Sequence, residues 1–270
     1  MKICVSGATG FLGSYVVKNL LKEDVYLSCI VRGSHKNLPI DKIDLHKIDI
    51  ENASDNIYKQ LGNPDVLINL AWGGLPNYKS KYHLEKELSI QSNFLNNMIS
   101  GGLKTLINVG TCFEYGMKEG PIKSSSKTNP TNPYGLAKDH LRKELEAIRN
   151  NKKFNFTWAR LFYMYGDGQS SFSLYSSLKN AVEKGEKEFK MSKGDQIRDF
   201  LNVNDVAAKL VYLAINKSDK GVINICSGRP ISVLEQVKSI IKENNWDITP
   251  STGHYDYPDY EPFSFWGIPD

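Results

Sequence analysis

The chain has 270 residues, of which 40% are hydrophobic and 24% charged, so it is long enough to bury a substantial core. It has no apolar run near the length of a membrane-spanning helix, and Met1–Val5 is too short an apolar stretch for a secretory signal. The 34 basic and 30 acidic residues give a net charge of +4, which is too small and dispersed to predict nucleic-acid binding. We therefore expect a globular, cytoplasmic protein of enzyme size, with neither nucleic acid nor membrane as a partner.

Short apolar runs alternate with longer helical patterns over the first two-thirds of the chain. The predicted strands are Lys2–Ser6, Val25–Val31, Asp44–Asp49, Asp65–Leu70, Lys104–Val109 and Asn155–Leu161. The predicted helices are Phe11–Lys22, Ala53–Leu61, His83–Ser100 and Tyr134–Asn150. This alternation indicates βαβ units, and strands this apolar need helices on both faces. The predicted fold class is therefore α/β, with a doubly wound parallel sheet.

The strict alternation ends after about Gly166. The later predicted elements are helices at Ser173–Gly185, Asn204–Ile215 and Ser232–Glu243, a strand at Val222–Cys226, and an extended tail over His254–Asp270. We expect residues 1–165 to form the main domain. Residues 166–270 are expected to form mostly a smaller C-terminal lobe for substrate binding, with part of this segment returning to the sheet.

A glycine-rich turn joins the first predicted strand to the first helix. Such a turn brings backbone N–H groups and a helix N-terminus close to a pyrophosphate, which is typical of a Rossmann-type dinucleotide site. The predicted cofactor-binding residues of this turn are Gly7, Thr9, Gly10, Phe11, Leu12 and Gly13.

Arg32 follows the second strand, nineteen residues after Gly13, where an NAD enzyme usually has an acidic residue. An arginine there can pair with a 2′-phosphate, and His35 and Lys36 follow closely. This favours NADP as the cofactor, with NAD as the other possibility if Arg32 is only a solvated residue at a strand end.

Tyr134 and Lys138 lie one turn apart on a predicted helix. An ammonium beside a phenol is expected to lower the pKa of the phenol, which suits it to proton transfer. Such pairs also occur by chance, but Thr111 supplies a hydroxyl after a strand, at the sheet edge where α/β proteins bind ligands. These three are the candidate catalytic residues, and none of the four cysteines has metal-ligand spacing, so no metal is expected.

Together, the glycine turn, Thr111 with Tyr115-Gly116, and the Tyr134/Lys138 pair resemble the extended short-chain dehydrogenase/reductase family. The similarity is greatest to its NAD-dependent epimerase/dehydratase branch, and Gln196–Val206 resembles a further signature of that branch. The resemblance implies that Tyr134 moves the proton, Lys138 assists it and binds the nicotinamide ribose, and Thr111 hydrogen-bonds the reacting oxygen. It also implies cofactor contacts from Asp49, Ile50, Leu70, Ala71, Trp72 and Phe162, and substrate contacts from Thr111, Cys112, Phe113, Tyr163 and Arg198. Arg198 would bind the substrate phosphates, unless it forms a structural ion pair with Asp199 or Asp205.

Several positions differ from other members of that branch. Cys112 and Phe113 stand where dehydratases have an acidic pair, so dehydration is not expected. Glu114 is interpreted as a structural acid and Cys112 as a buried thiol without a catalytic role. Tyr163 replaces an asparagine that in the family usually contacts the substrate phosphate.

The stretches Leu70–Tyr78, Gly110–Gly116 and Asp259–Phe263 resemble those of bacterial reductases of dTDP- or CDP-linked 4-keto-6-deoxyhexoses. Such reductases make precursors of surface polysaccharide such as dTDP-fucose or dTDP-6-deoxytalose. This implies a nucleotide-diphosphate sugar as substrate and a homodimer formed through the helices at His83–Ser100 and Tyr134–Asn150. The alternatives are a nucleotide-sugar 4-epimerase with tightly held NAD and, from another class, a non-catalytic NADP-sensing regulator.

Overall fold

The computed structural model describes residues 1–33, 38–257 and 259–270. Its strands are β1 (Lys2–Ser6), β2 (Tyr26–Val31), β3 (Asp44–Lys47), β4 (Val66–Asn69), β5 (Thr105–Thr111), β6 (Gly120–Ile122), β7 (Asn155–Leu161), β8 (Tyr163–Tyr165), β9 (Glu188–Lys190), β10 (Ile197–Asn202), β11 (Gly221–Ile225), β12 (Pro230–Ser232), β13 (Thr249–Ser251) and β14 (Phe265–Gly267). Its α-helices are α1 (Phe11–Leu20), α2 (Ile57–Gln60), α3 (Leu88–Gly101), α4 (Pro133–Arg149), α5 (Leu174–Glu183), α6 (Val203–Ile215) and α7 (Val233–Asn244).

Seven parallel strands form the central sheet, in the order β11-β7-β5-β4-β1-β2-β3. Ser6 at the end of β1 lies opposite Ile30 of β2 and Asn69 of β4. The strand order reverses at β1, and a crevice opens there because the helices after β1 and β4 lie on opposite faces.

Helices cover both faces of this sheet. Val16 and Leu20 of α1 pack with Leu210 of α6 on one face, while Phe94 of α3 and Leu141 of α4 pack on the other. All five side chains are fully buried, and burial of each contributes about 1.5–3 kcal/mol of hydrophobic stabilisation. The predicted doubly wound α/β fold is confirmed.

A smaller cluster of elements packs beyond the carboxyl ends of the strands. Leu178 of α5, Phe189 of β9, and Val237 and Ile240 of α7 share a second apolar core. Between these elements the chain returns to the central sheet, where β11 pairs with β7. The domain boundary at residue 165 stays a prediction.

Two regions differ from the expected elements. The helix predicted at Ala53–Leu61 covers only Ile57–Gln60, because Ala53 has an extended backbone that ends a 3-10 turn capped by Asp49. The tail forms strand β14, which pairs with β6 in a part of the chain where no strand was predicted. No helix among the described residues is long and apolar enough to cross a membrane.

Candidate active site

The turn between β1 and α1 can be built only with glycine at two positions. Gly7 has a φ of +69°, and a Cβ there would lie 2.8 Å from the Ala71 nitrogen. A Cβ on Gly13 would lie 2.1 Å from the Gly7 oxygen, so the first turn of α1 packs directly against the loop. The N-terminus of α1 therefore opens into the crevice beside β4, with unpaired N–H groups suited to an anion.

A cleft of about 400 Å³ extends from this turn across the ends of β2 and β3. It is lined by these predicted cofactor residues: Gly7, Thr9, Gly10, Arg32, Asp49, Ile50, Leu70, Ala71 and Trp72. Arg32 is exposed at the end of β2, while the Asp49 carboxylate accepts the Glu51 N–H at 3.2 Å. His35 and Lys36, which also suggested a phosphate site, lie outside the described residues.

A second cleft of about 530 Å³ continues from the first, with which it shares Gly7, Gly10, Leu70 and Trp72. Apart from Arg198, the remaining predicted site residues all line this second cleft: Phe11, Leu12, Gly13, Thr111, Cys112, Phe113, Tyr134, Lys138, Phe162 and Tyr163. Residues more than 120 positions apart in sequence thus line one continuous site.

The three candidate catalytic residues lie on two elements that pack closely together. Thr111 ends β5 and caps the 3-10 turn at Cys112–Tyr115, because its hydroxyl accepts the Phe113 N–H at 3.3 Å. Helix α4 carries Tyr134 and Lys138, and a Cβ on its Gly135 would lie 2.7 Å from the Phe113 oxygen. This close approach places both side chains on the wall of the cleft that contains Thr111.

Lys138 is almost completely buried. Its Nζ donates to the Val109 oxygen at 2.8 Å and lies 3.9 Å from the centroid of the Trp72 ring. Burial lowers the pKa of Lys138 to about 7, although the charges of Glu114 and Glu87 oppose this shift. The ammonium form is therefore only partly populated at neutral pH.

The expectation that Lys138 lowers the pKa of Tyr134 is wrong for this geometry. The Lys138 Nζ lies 6.0 Å from the centroid of the Tyr134 ring and faces Trp72 instead. Burial raises the pKa of Tyr134 well above its usual value, with smaller contributions from neighbours such as Tyr78, and Thr111 opposes the shift. Tyr134 is thus held as a neutral phenol, which can donate a proton or a hydrogen bond.

Cys112 is a buried thiol and Glu114 a buried, ion-paired acid, while the absence of a catalytic role for Cys112 stays a prediction. Burial raises the pKa of the Cys112 thiol, so it stays protonated. Glu114 is fully buried and forms an ion pair with Arg160 at 2.6 Å, which makes it a structural acid. Cys112 lines the cleft and Glu114 lies behind it.

Arg198 is the predicted site residue that does not line either cleft, as far as the described residues show. Its guanidinium donates to the Phe263 oxygen at 2.9 Å and to the Glu261 carboxylate at 3.0 Å. The ion-pair partner is therefore neither Asp199 nor Asp205, and the Asp199 carboxylate instead accepts backbone N–H groups. Binding of a substrate phosphate by Arg198 stays a prediction.

The structure also adds cleft residues that were not predicted, notably Tyr78 and Glu261. The Tyr78 ring lies 5.5 Å from the Tyr134 ring, and Tyr260, next to Glu261, lies 6.3 Å from Tyr78. Tyr78 lies within Leu70–Tyr78 and Glu261 within Asp259–Phe263, two of the stretches that carry the resemblance to 4-ketoreductases, so the sequence held a signal for both.

The residues of the first cleft fit a nicotinamide dinucleotide. The glycine turn leaves room for a pyrophosphate at the N-terminus of α1, where an added Cβ on Gly7 or Gly13 would collide with the backbone. Apolar Ile50 and Leu70 line the walls, while Arg32 and Asp49 supply polar groups at the far end.

Comparison with known proteins agrees with this interpretation. The model of the NAD dependent epimerase/dehydratase family matches residues 3–226. The chain is 30% identical to a dTDP-6-deoxy-L-talose 4-dehydrogenase (NAD(+)) from Aggregatibacter actinomycetemcomitans, over 99% of both chains. It is 26% identical to a UDP-glucose 4-epimerase from Lactobacillus helveticus, over 94% of this chain and 84% of the relative. Among solved structures, UDP-N-acetylglucosamine 4-epimerase from Methanobrevibacter ruminantium M1 has the same fold, with a TM-score of 0.86 and 22% identity over 99% of this chain and 89% of that one.

Proposed function

The chain belongs to the NAD-dependent epimerase/dehydratase family, and we propose that it reduces the C4 ketone of a nucleotide-activated 4-keto-6-deoxyhexose. The product would be a deoxysugar such as dTDP-fucose or dTDP-6-deoxytalose, used for bacterial surface polysaccharide. Within this proposal the protein works in the cytoplasm as a homodimer, with α3 and α4 as the candidate contact helices.

The observation that carries the proposal is the position of Thr111, Tyr134 and Lys138 in a cleft continuous with the glycine turn. One hydroxyl, one neutral phenol and one lysine are the groups needed to bind and protonate a carbonyl oxygen. The relative that matches over its full length is named as a 4-dehydrogenase of a dTDP-6-deoxyhexose. A dehydrogenase and a reductase catalyse the two directions of one reversible reaction, so this supports the proposal.

A bound nicotinamide supplies the hydride. Thr111 donates a hydrogen bond that polarises the ketone, and Tyr134 gives its phenolic proton to the same oxygen as the alcohol forms. Because burial keeps Tyr134 neutral, the proton is available at neutral pH. Lys138, whose Nζ faces Trp72 and not Tyr134, would bind the ribose hydroxyls of the cofactor.

Dehydration is not part of the proposal, because the two positions after Thr111 are Cys112 and Phe113. Neither side chain can act as the acid–base pair that removes water, since the thiol is held protonated by burial.

The cofactor we propose is NADPH, with NADH as the alternative. Arg32 supports it, because its exposed guanidinium lines the far end of the first cleft, where it can pair with a 2′-phosphate. The relative named with NAD(+) supports the alternative.

A nucleotide-sugar 4-epimerase is the second candidate, supported by the 26% identity to a UDP-glucose 4-epimerase. It would use the same three residues with NAD held through the whole cycle. A non-catalytic NADP sensor has less support, because such a protein needs no Thr111, Tyr134 and Lys138 in one cleft.

The test is the absorbance of reduced nicotinamide, followed with purified protein, NADPH or NADH, and dTDP-4-keto-6-deoxyglucose. We expect rapid loss of signal, faster with NADPH, and proton NMR of the product would give its configuration. A flat signal with nucleotide bound in the purified protein would favour the epimerase. A flat signal without bound nucleotide would reject dTDP-sugars and leave CDP-linked keto sugars to be tried.

A further inference from the structure

The segment Asp259–Phe263 borders the second cleft and is here called the tail strap. The Asp259 carboxylate pairs with the Lys79 Nζ at 2.8 Å on the outer side. The Tyr260 ring lies 6.4 Å from the Phe113 ring and so contacts the turn that follows the catalytic Thr111. The strap therefore brings its next residue, Glu261, to the wall of the cleft.

Arg198 fixes the Glu261 carboxylate in place. The Arg198 side chain is 2% exposed, and it holds the strap at two points, the Phe263 oxygen at 2.9 Å and Glu261 Oε2 at 3.0 Å. Glu261 itself is 13% exposed, towards the cleft. The Arg198 hydrogen bond uses only Oε2, so the other carboxylate oxygen, Oε1, can accept from a group in the cleft.

Tyr163 adds a donor beside this acceptor. Its ring lies 5.4 Å from the Arg198 guanidinium and lines the same part of the cleft. Its hydroxyl is buried and, within the described residues, has no hydrogen-bond partner of good geometry. Burial and the charge of Glu261 raise the pKa of Tyr163, so the phenol keeps its proton.

The geometry points to a hydroxyl-binding subsite formed by Glu261 and Tyr163, which selects a neutral hexose and rejects a hexuronic acid. A carboxylate acceptor next to a phenol donor matches a sugar hydroxyl, which is donor and acceptor at once. A substrate carboxylate at the same place would meet a fixed, largely buried negative charge. This inference rests on the proposed function, because it assigns the sugar end of the same cleft.

The test measures equilibrium binding of two stable probes, dTDP-glucose and dTDP-glucuronic acid, to the full-length protein. We expect wild type to bind the neutral sugar at least about tenfold more tightly, the size of effect that one like-charge contact produces. Glu261→Gln removes that charge and leaves Arg198 as an unpaired cation. The preference should then fall to about threefold or less, or reverse towards the glucuronic acid.

Asp259→Asn is the matched control, because it makes the same acid-to-amide change on the exposed side of the tail strap. It should leave the preference unchanged. Tyr163→Phe keeps the charge of Glu261, so it should weaken binding of dTDP-glucose and keep the rejection of dTDP-glucuronic acid. This second variant tests the subsite if Glu261→Gln folds poorly.

Equal binding of both probes to wild type would overturn the inference while leaving the proposed function intact. An unchanged preference in a folded Glu261→Gln variant would overturn it too. If the wild-type protein bound neither probe but reduced a CDP-linked keto sugar, the same pair of measurements with CDP-glucose and CDP-glucuronic acid would decide in the same way. Failure to bind or reduce any nucleotide sugar would overturn the proposed function and the inference together.

Discussion

The carboxylate of Glu114 accepts the main-chain N–H of Thr111 at 2.9 Å. The same carboxylate accepts the Trp158 indole N–H at 2.9 Å and the Arg160 Nε–H at 2.6 Å, so it joins the end of β5 to β7. Glu114 is fully buried, and its charge is balanced mainly by Arg160. The position of the Thr111 hydroxyl in the cleft thus depends on a buried ion pair behind it.

Glu114→Gln should destabilise the fold and reduce turnover. The neutral amide leaves Arg160 as a buried charge without its partner, which costs about 3–5 kcal/mol of unfolding free energy. It also replaces an acceptor at Thr111, so kcat should fall by about tenfold, the effect of a loosened hydrogen bond of about 1.4 kcal/mol. Urea unfolding and steady-state kinetics measure the two effects.

Glu146→Gln is the control for this prediction, since Glu146 also pairs with an arginine but is 41% exposed. Loss of that surface pair should cost less than about 1 kcal/mol. Equal losses of stability in the two variants would mean that the Glu114 pair contributes no more than a surface pair.

Tyr134→Phe should lower kcat by at least about 100-fold, because it removes the proton donor for the ketone oxygen. The ring keeps its contacts with Tyr78 and Trp72, so the fold and the binding of the dinucleotide should change little. Tyr212→Phe, on the exposed face of α6, is the matched control and should turn over normally. Near-normal turnover in Tyr134→Phe would reject the proton-donor role.

Lys138 should make stability rise with pH. Its pKa is about 7 in the folded protein, against an ordinary lysine value of 10.5, so between these values the unfolded chain binds the extra proton. The cost of burying the ammonium is complete below about pH 7 and is relieved as pH rises, with a slope of up to about 1.4 kcal/mol per pH unit.

Lys138→Met removes this contribution. The variant should be more stable than wild type near pH 7, and the difference should shrink towards pH 10, as measured by urea unfolding across that range. Lys143→Met, an exposed lysine on the same helix, should show no such trend. A constant difference between wild type and Lys138→Met at every pH would contradict the shifted pKa.

Local patterns in the sequence were sufficient for the sheet and the dinucleotide turn. Strands such as Asn155–Leu161 were predicted at their observed bounds, because a buried parallel strand is a continuous apolar run between turn formers. Gly7 and Gly13 were predicted from the glycine-rich turn after the first strand, and the structure has no room for a Cβ at either position. Tyr134 and Lys138 follow from helical spacing on α4.

Contacts between distant segments could not be predicted in this way. Glu261 lies 63 residues from Arg198, and nothing in either local pattern specifies that pairing. The direction of the Lys138 ammonium was also missed, because it depends on Val109 of β5 and on Trp72 in the segment that follows β4. Burial then reversed the expected pKa shift of Tyr134.

Arg32 should determine which cofactor the enzyme prefers. In Arg32→Ala the guanidinium that can pair with a 2′-phosphate is lost, so KM for NADPH should rise by about tenfold, equivalent to about 1.4 kcal/mol. KM for NADH should change by less than about twofold, because NADH has no phosphate there. Arg229→Ala, which removes an exposed arginine that is not among the residues lining either cleft, controls for the change in net charge and should alter neither KM. Steady-state kinetics with both cofactors measure the two KM values. Equal changes in KM for NADPH and NADH would mean that Arg32 is an ordinary solvated residue, and would favour NAD as the cofactor.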